Sequence, residues 1–159
     1  MSGILSARTY LRRKAYMEDD NVKLVRRYYS AWNEGDPAKI EACIAPGFVG
    51  HTGTQSFDQS VLIAHRRQMS NEFTKFSVHE EDAVAQRDKV VMRWTSSGLS
   101  RRRDVAIEIR GVTIYRIEAG AIAELWDVRN RPTTPPKPDP RSRTKPRSGS
   151  IEPNRTAAS

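Results

Sequence analysis

The residue pattern predicts an α+β domain, with helices early in the chain and antiparallel strands after them. Apolar residues recur at spacings of three and four between Val22 and Trp32, the period of a helix face. β-Branched and aromatic residues dominate Val90–Ser97 and Val105–Ile117, the texture of strands. Hairpin-type turn residues separate these later segments. At 159 residues the chain suits one domain.

The first helix is expected to begin near Asp19. Asp19, Asp20 and Asn21 offer capping oxygens, and acidic side chains suit the positive end of a helix. Val22, Val25, Tyr29 and Trp32 form its apolar stripe, and Gly35 closes it. Asp36-Pro37 starts a second helix over about 37–45, with Asp as cap, Pro in the first turn and Pro46-Gly47 as the stop. A third is expected from about Asp58 to Ser70, with Leu62, His65 and Met69 on one face. Phe48–His51 has room for a short extra strand. Four strands then follow, over Lys75–Ala85, Val90–Ser97, Val105–Ile117 and Ile122–Arg129. Gly111 predicts a bulge or bend in the third of these. Glu118-Ala119-Gly120 predicts the hairpin turn before the fourth.

Both ends differ from the middle. Residues 1–18 form an N-terminal extension with room for a short helix, and residues 19–130 form the domain. Residues 131–159 hold seven of the nine prolines and a net charge of +5, which predicts a disordered tail, solubilising or partner-docking. With +1 on residues 1–20, only +2 of the total +8 falls on residues 21–130. A nearly balanced domain lacks the concentrated basic patch that phosphate recognition uses, so nucleic-acid binding is not expected. No apolar run approaches the ~20 residues of a membrane span, and no apolar stretch follows Arg8, Arg12, Arg13 and Lys14. A cytoplasmic protein without membrane contact is expected. The single cysteine, Cys43, excludes an intrachain disulfide and reads as a buried thiol among Ile40, Ala42 and Ile44.

Four segments together, in order and spacing, resemble a known family: Tyr28–Asp36, Ile44–His51, Asp88–Thr95 and above all Arg110–Asp127. The family is the SnoaL-like polyketide cyclases of the nuclear transport factor 2-like superfamily, and the resemblance spans about residues 21–130. It implies a cone, in which a curved mixed or antiparallel sheet packs on three N-terminal helices around an internal apolar pocket. It also implies acid/base chemistry on a small hydrophobic carbonyl compound such as a polyketide, with no metal or organic cofactor. The reaction would be an aldol cyclisation, an isomerisation or a hydrolysis. A homodimer is implied too, and Trp126 and Val128 give it a rationale, since they oppose the pocket-facing residues of the last strand. One scaffold hosts many functions, so a non-catalytic ligand carrier of the same fold is the alternative.

The resemblance points to particular residues. The family's acid/base is an Asp within a His-Trp-Asp run on the last strand, and the matching run here is Leu125-Trp126-Asp127. Strand alternation puts Leu125, Asp127 and Arg129 on one face. A carboxyl in an apolar container suits proton abstraction beside a carbonyl, whereas an Asp paired with Arg129 is the plain structural alternative. His51 is the second catalytic candidate, as a neutral imidazole that donates to a substrate oxygen or relays a proton. Bonding to loop backbone is its plainer role. Tyr29 and Trp32 offer an aromatic wall for a planar ligand. His65, Arg93, Thr113, Tyr115 and Leu125 complete the expected substrate-binding set, Arg93 with Thr95 and Thr113 with Tyr115 each sharing a strand face. Two positions depart from the family pattern. Leu125 stands where the cyclases often have His, and Thr113 where many relatives carry a polar acid/base. Ser97–Asp104 reads as a short loop over the pocket mouth. His51, His65 and His79 show no metal-ligand spacing.

Overall fold

A computed structural model describes residues 7–134. The elements run α1 (Ala7–Glu34), α2 (Pro37–Glu41), β1 (Ile44–Thr52), β2 (Gln55–Phe57), α3 (Gln59–Glu72), β3 (Phe73–Gln86), β4 (Lys89–Ser100), β5 (Ala106–Glu118) and β6 (Ala121–Arg129). The strands form one sheet in the order β2-β1-β6-β5-β4-β3. β1 and β6 pair in parallel and every other neighbouring pair is antiparallel. The sheet is mixed, curved and unclosed, and the helices pack on its concave side. This is the α+β class that the residue pattern predicts and the cone that the resemblance implies. Val25, Ile40, Val90, Met92 and Ile122 are its most buried side chains. Among the described residues no helix is long and apolar enough to cross a membrane.

Several boundaries differ from expectation. α1 begins at Ala7 and passes through Asp19 and Asp20 without a break. These acids do not cap a helix. They pair with Lys23 one turn on, Asp19 at 2.7 Å and Asp20 at 3.6 Å. The far end does close as predicted, with Gly35 at φ +70 and its N–H on the Ala31 carbonyl. α2 stops at Glu41, four residues early. Tertiary pairing overrides local helix signals there, because Cys43 and Ile44 are taken up by Ile122 of β6. Pro46 and Gly47 therefore sit inside β1, where the register with β6 shifts between Ile44 and Val49.

The β half keeps its order and lengthens. β4 continues to Ser100, so the expected loop shrinks to a turn at 101–103. Gly111 makes no bulge against β4, since Trp94 faces it in regular register. It makes room instead: a Cβ there would come 2.4 Å from the Trp94 indole. Ala119 and Gly120 both take positive φ, as a two-residue hairpin of the I′ type requires. Past β6, Thr133 exchanges backbone hydrogen bonds with Glu108 of β5. The start of the Pro/Arg-rich segment thus lies along the sheet. The expectations for residues 1–6 and 135–159 fall outside the described residues.

Candidate functional site

A cavity of about 680 Å³ lies between the concave face of the sheet, α1 and α3. Its floor is aromatic because α1 presents Tyr28, Tyr29 and Trp32 within one turn. The Tyr28 and Trp32 rings stack at 5.9 Å, and Tyr28 meets Tyr115 of β5 edge-on at 5.9 Å. Tyr115 donates its hydroxyl proton to Tyr29 at 3.1 Å. Burial pushes all three phenols well above their ordinary range, so they remain hydrogen-bond donors. Arg66 of α3 steadies this wall from behind. Its Nε donates to the Trp32 carbonyl at 2.6 Å and its guanidinium stands over the Trp32 and Phe76 rings. A cation there also suits the negative end of α1.

The polar end is built by three neighbouring strands. Trp94 Nε1 on β4 donates to Thr113 Oγ1 on β5 at 2.8 Å, and that hydroxyl donates to Asp127 Oδ1 on β6 at 2.7 Å. Gly111 permits the chain, because only an absent side chain leaves space for the Trp94 indole to reach Thr113. Asp127 Oδ2 lies 3.6 Å from Arg129 Nε, and the Asp127 side chain is 16% exposed. His65 of α3 faces the same end of the cavity. Burial first, and then the Arg129 cation, push its imidazole below the ordinary 6.5, with Asp127 and Glu72 opposing. His65 is therefore neutral at pH 7 and able to give or take a proton.

Residues 25–125, from the α1 stripe to the cavity strand β6, match the SnoaL-like domain family. The chain belongs to that family. This SnoaL-like protein is also similar in fold to several solved structures. AclR of Streptomyces galilaeus, to which a hydroxylase activity is attributed, superposes with a TM-score of 0.67 at 18% identity, over 71% of this chain and 80% of AclR. TsrD of Streptomyces laurentii gives 0.64 at 24% identity, over 70% and 89%. IdmH of Streptomyces antibioticus, to which a polyketide cyclase activity is attributed, gives 0.64 at 20% identity, over 69% and 91%. At these identities the likeness shows the nuclear transport factor 2-like fold and no more. None of the curated proteins matches the chain.

Of the residues expected at the site, Tyr29, Trp32, His65, Thr113, Tyr115, Leu125 and Asp127 all line the cavity of the SnoaL-like domain. His51 and Arg93 do not, and both placements correct the sequence reading. On β1, Phe48 and Gly50 face inward, Gly50 so tightly that a Cβ would meet the Phe57 ring at 2.1 Å. Alternation then turns His51 outward. There it stacks on Trp126 at 5.4 Å, with Nε2 2.8 Å from Glu124 Oε1 and Nδ1 3.0 Å from Ser56 Oγ. His51 and then Arg116 hold the Glu124 carboxyl below its ordinary range. Arg93 is likewise on the convex face, 3.7 Å from Glu81. Trp94 and Ser96 are the cavity-facing residues of β4. The signal was present, since Val90, Met92 and Trp94 form the bulkier apolar set of that strand and the helices must cover it. Phe57 and Phe76 also line the cavity without having been singled out for it, and so does Arg129, which strand alternation put on the face of Leu125 and Asp127.

Proposed function

We propose that this SnoaL-like protein binds a flat, hydrophobic carbonyl compound, such as a polyketide, and performs cofactor-independent acid/base chemistry on it of the cyclase or isomerase type. One observation carries the reading: Asp127 is the single carboxylate among the lining residues of an aromatic cavity. A volume of about 680 Å³ falls in the usual range for small-molecule sites. The Trp94–Thr113 chain occupies Oδ1 and fixes the carboxyl plane, which leaves Oδ2 to accept a proton from the carbon beside a carbonyl. The same carboxylic acid then returns the proton to the receiving oxygen or to another carbon. Neutral His65 is placed at the same end to assist. His51 lies on the other face of the sheet and has no part in this reading.

The test compares wild type with Asp127→Asn against a panel of aromatic ketones, following binding and turnover separately. Retained binding with lost turnover is the expected result. Equal binding with no turnover in either protein would favour the carrier alternative, which the buried Leu125 supports by replacing a polar family position with plain wall. A homodimer across the convex face belongs to the same proposal. Val112, Ile114 and Val128 are exposed there, Val128 to 73%. Sedimentation of wild type against Val128→Lys tests it, with a shift to monomer expected.

A further inference from the structure

Arg129 is the only cation among the residues that line the cavity. Several arginines of the convex and helical surfaces are closed on acids: Arg26 on Glu80 at 2.8 Å, Arg110 on Glu108 at 2.8 Å, Arg116 on Glu124 and Glu118 at 3.0 Å. Arg129 is held more loosely than these three. Its nearest acid, Asp127, is 3.6 Å away, and among the described residues its guanidinium makes no hydrogen bond. Tyr115 donates to Tyr29 and Thr113 donates to Asp127, while the remaining donors of the wall, Tyr28 and the neutral His65 among them, carry no charge. The strongest uncommitted donor in the cavity therefore stands beside its single carboxylate, two residues along the same strand face.

We propose that Arg129 is a catalytic residue, receiving the carbonyl oxygen of a neutral, enolisable ketone while Asp127 removes the neighbouring proton. The inference rests on the acid/base reading of Asp127. The step balances within the site. A C–H bond breaks, its proton moves to Asp127 Oδ2, and its electron pair forms the C=C bond of an enolate whose charge collects on oxygen. An Asp127 carboxylate with the Arg129 cation becomes a neutral Asp127 acid with an enolate on the same cation. The net charge of the reacting groups stays at zero, so the step leaves no new charge for the apolar wall to compensate. The same bookkeeping sets the substrate class. A ligand with an ionised acid at this end would set two anions against one guanidinium, so the site favours ketones over carboxylic acids.

The experiment follows hydrogen–deuterium exchange of 2-tetralone, a bicyclic ketone with acidic α-protons, by NMR in D₂O. Its binding is read in parallel from tryptophan fluorescence, with 2-naphthoate as the anionic comparator. Wild type should accelerate exchange and bind 2-tetralone more tightly than 2-naphthoate. Arg129→Gln should lower exchange by about 100-fold while leaving 2-tetralone binding within a few-fold. Arg129→Lys should restore part of the rate. Full exchange by Arg129→Gln would overturn the role of Arg129 and leave Asp127 as the base. Parallel loss of binding and exchange would make Arg129 a binding group only and also overturn it. No exchange by wild type above buffer would overturn the acid/base reading itself, a different failure from the other two.

Discussion

Glu124 and Asp127 stand three residues apart on β6 and look out on opposite sides of one sheet. The outer carboxylate has the fuller set of partners: His51 on one oxygen, Arg116 on the other, and Ser56 behind the imidazole. The inner one has Thr113 at hydrogen-bond length and Arg129 only at 3.6 Å. The difference teaches that chemical capability does not follow the number of polar contacts. A charge network on a half-exposed face is satisfied and screened, and it is worth little beyond local order. A carboxylate with one oxygen held and the other unfilled, inside an aromatic cavity, keeps capacity for a reacting proton.

Substitutions on the two faces should separate them by turnover. Asp127→Asn is expected to lower turnover of any substrate by about 100-fold or more, the usual worth of a positioned acid/base. Glu124→Gln and His51→Ala should leave it within a few-fold. Loss of turnover in His51→Ala would break the separation of faces outright.

A smaller effect should sharpen the inner network. Thr113→Val keeps shape but leaves Trp94 Nε1 and Asp127 Oδ1 without their partner. The expected cost is about 1–3 kcal/mol in chemical or thermal unfolding. A cost near zero would mean that water replaces the hydroxyl and that the chain does not fix Asp127.

The faces should also differ in acid sensitivity. His65 has a folded-state value below its ordinary 6.5, so the unfolded chain takes up a proton that the folded site resists. Its neutral state costs no stability above 6.5, and stability falls as pH drops from there towards the lower folded value. Glu124 lies below its ordinary 4.5, so its contribution is complete above 4.5 and is lost as pH falls further. Urea midpoints from pH 7.5 to 3.5 should show both slopes. His65→Gln should flatten the upper one and Glu124→Gln part of the lower one. The smallest effect belongs to His51→Ala, at most about 1 kcal/mol at pH 7 for a half-exposed pair.

Much of this was legible in the chain. The helix stripe through Tyr29 and Trp32, the order of the strands along the chain and the turn at Ala119-Gly120 all depend on signals that span only a few residues, and the resemblance of the Leu125-Trp126-Asp127 run pointed to Asp127. Local signals failed where distant partners intervened. Ile44 reads as helix by its spacing from Ile40, yet pairs with Ile122, and Asp19 reads as a cap, yet sits within a helix that began at Ala7. Gly111 reads as a bend, and its use becomes visible only with Trp94 beside it.

The sequence by itself determined most of the elements and their order, because helix and strand periods and turn chemistry are local properties of the chain, and the resemblance of four segments carried the family. It also determined which residues share a strand face. The tertiary structure decided which face of β1 and β4 looks inward, since that choice depends on where α1 and α3 come to lie. The choice sent His51 and Arg93 to the convex side and brought Trp94, Thr113, Asp127 and Arg129 together, from strands that meet only when the sheet forms.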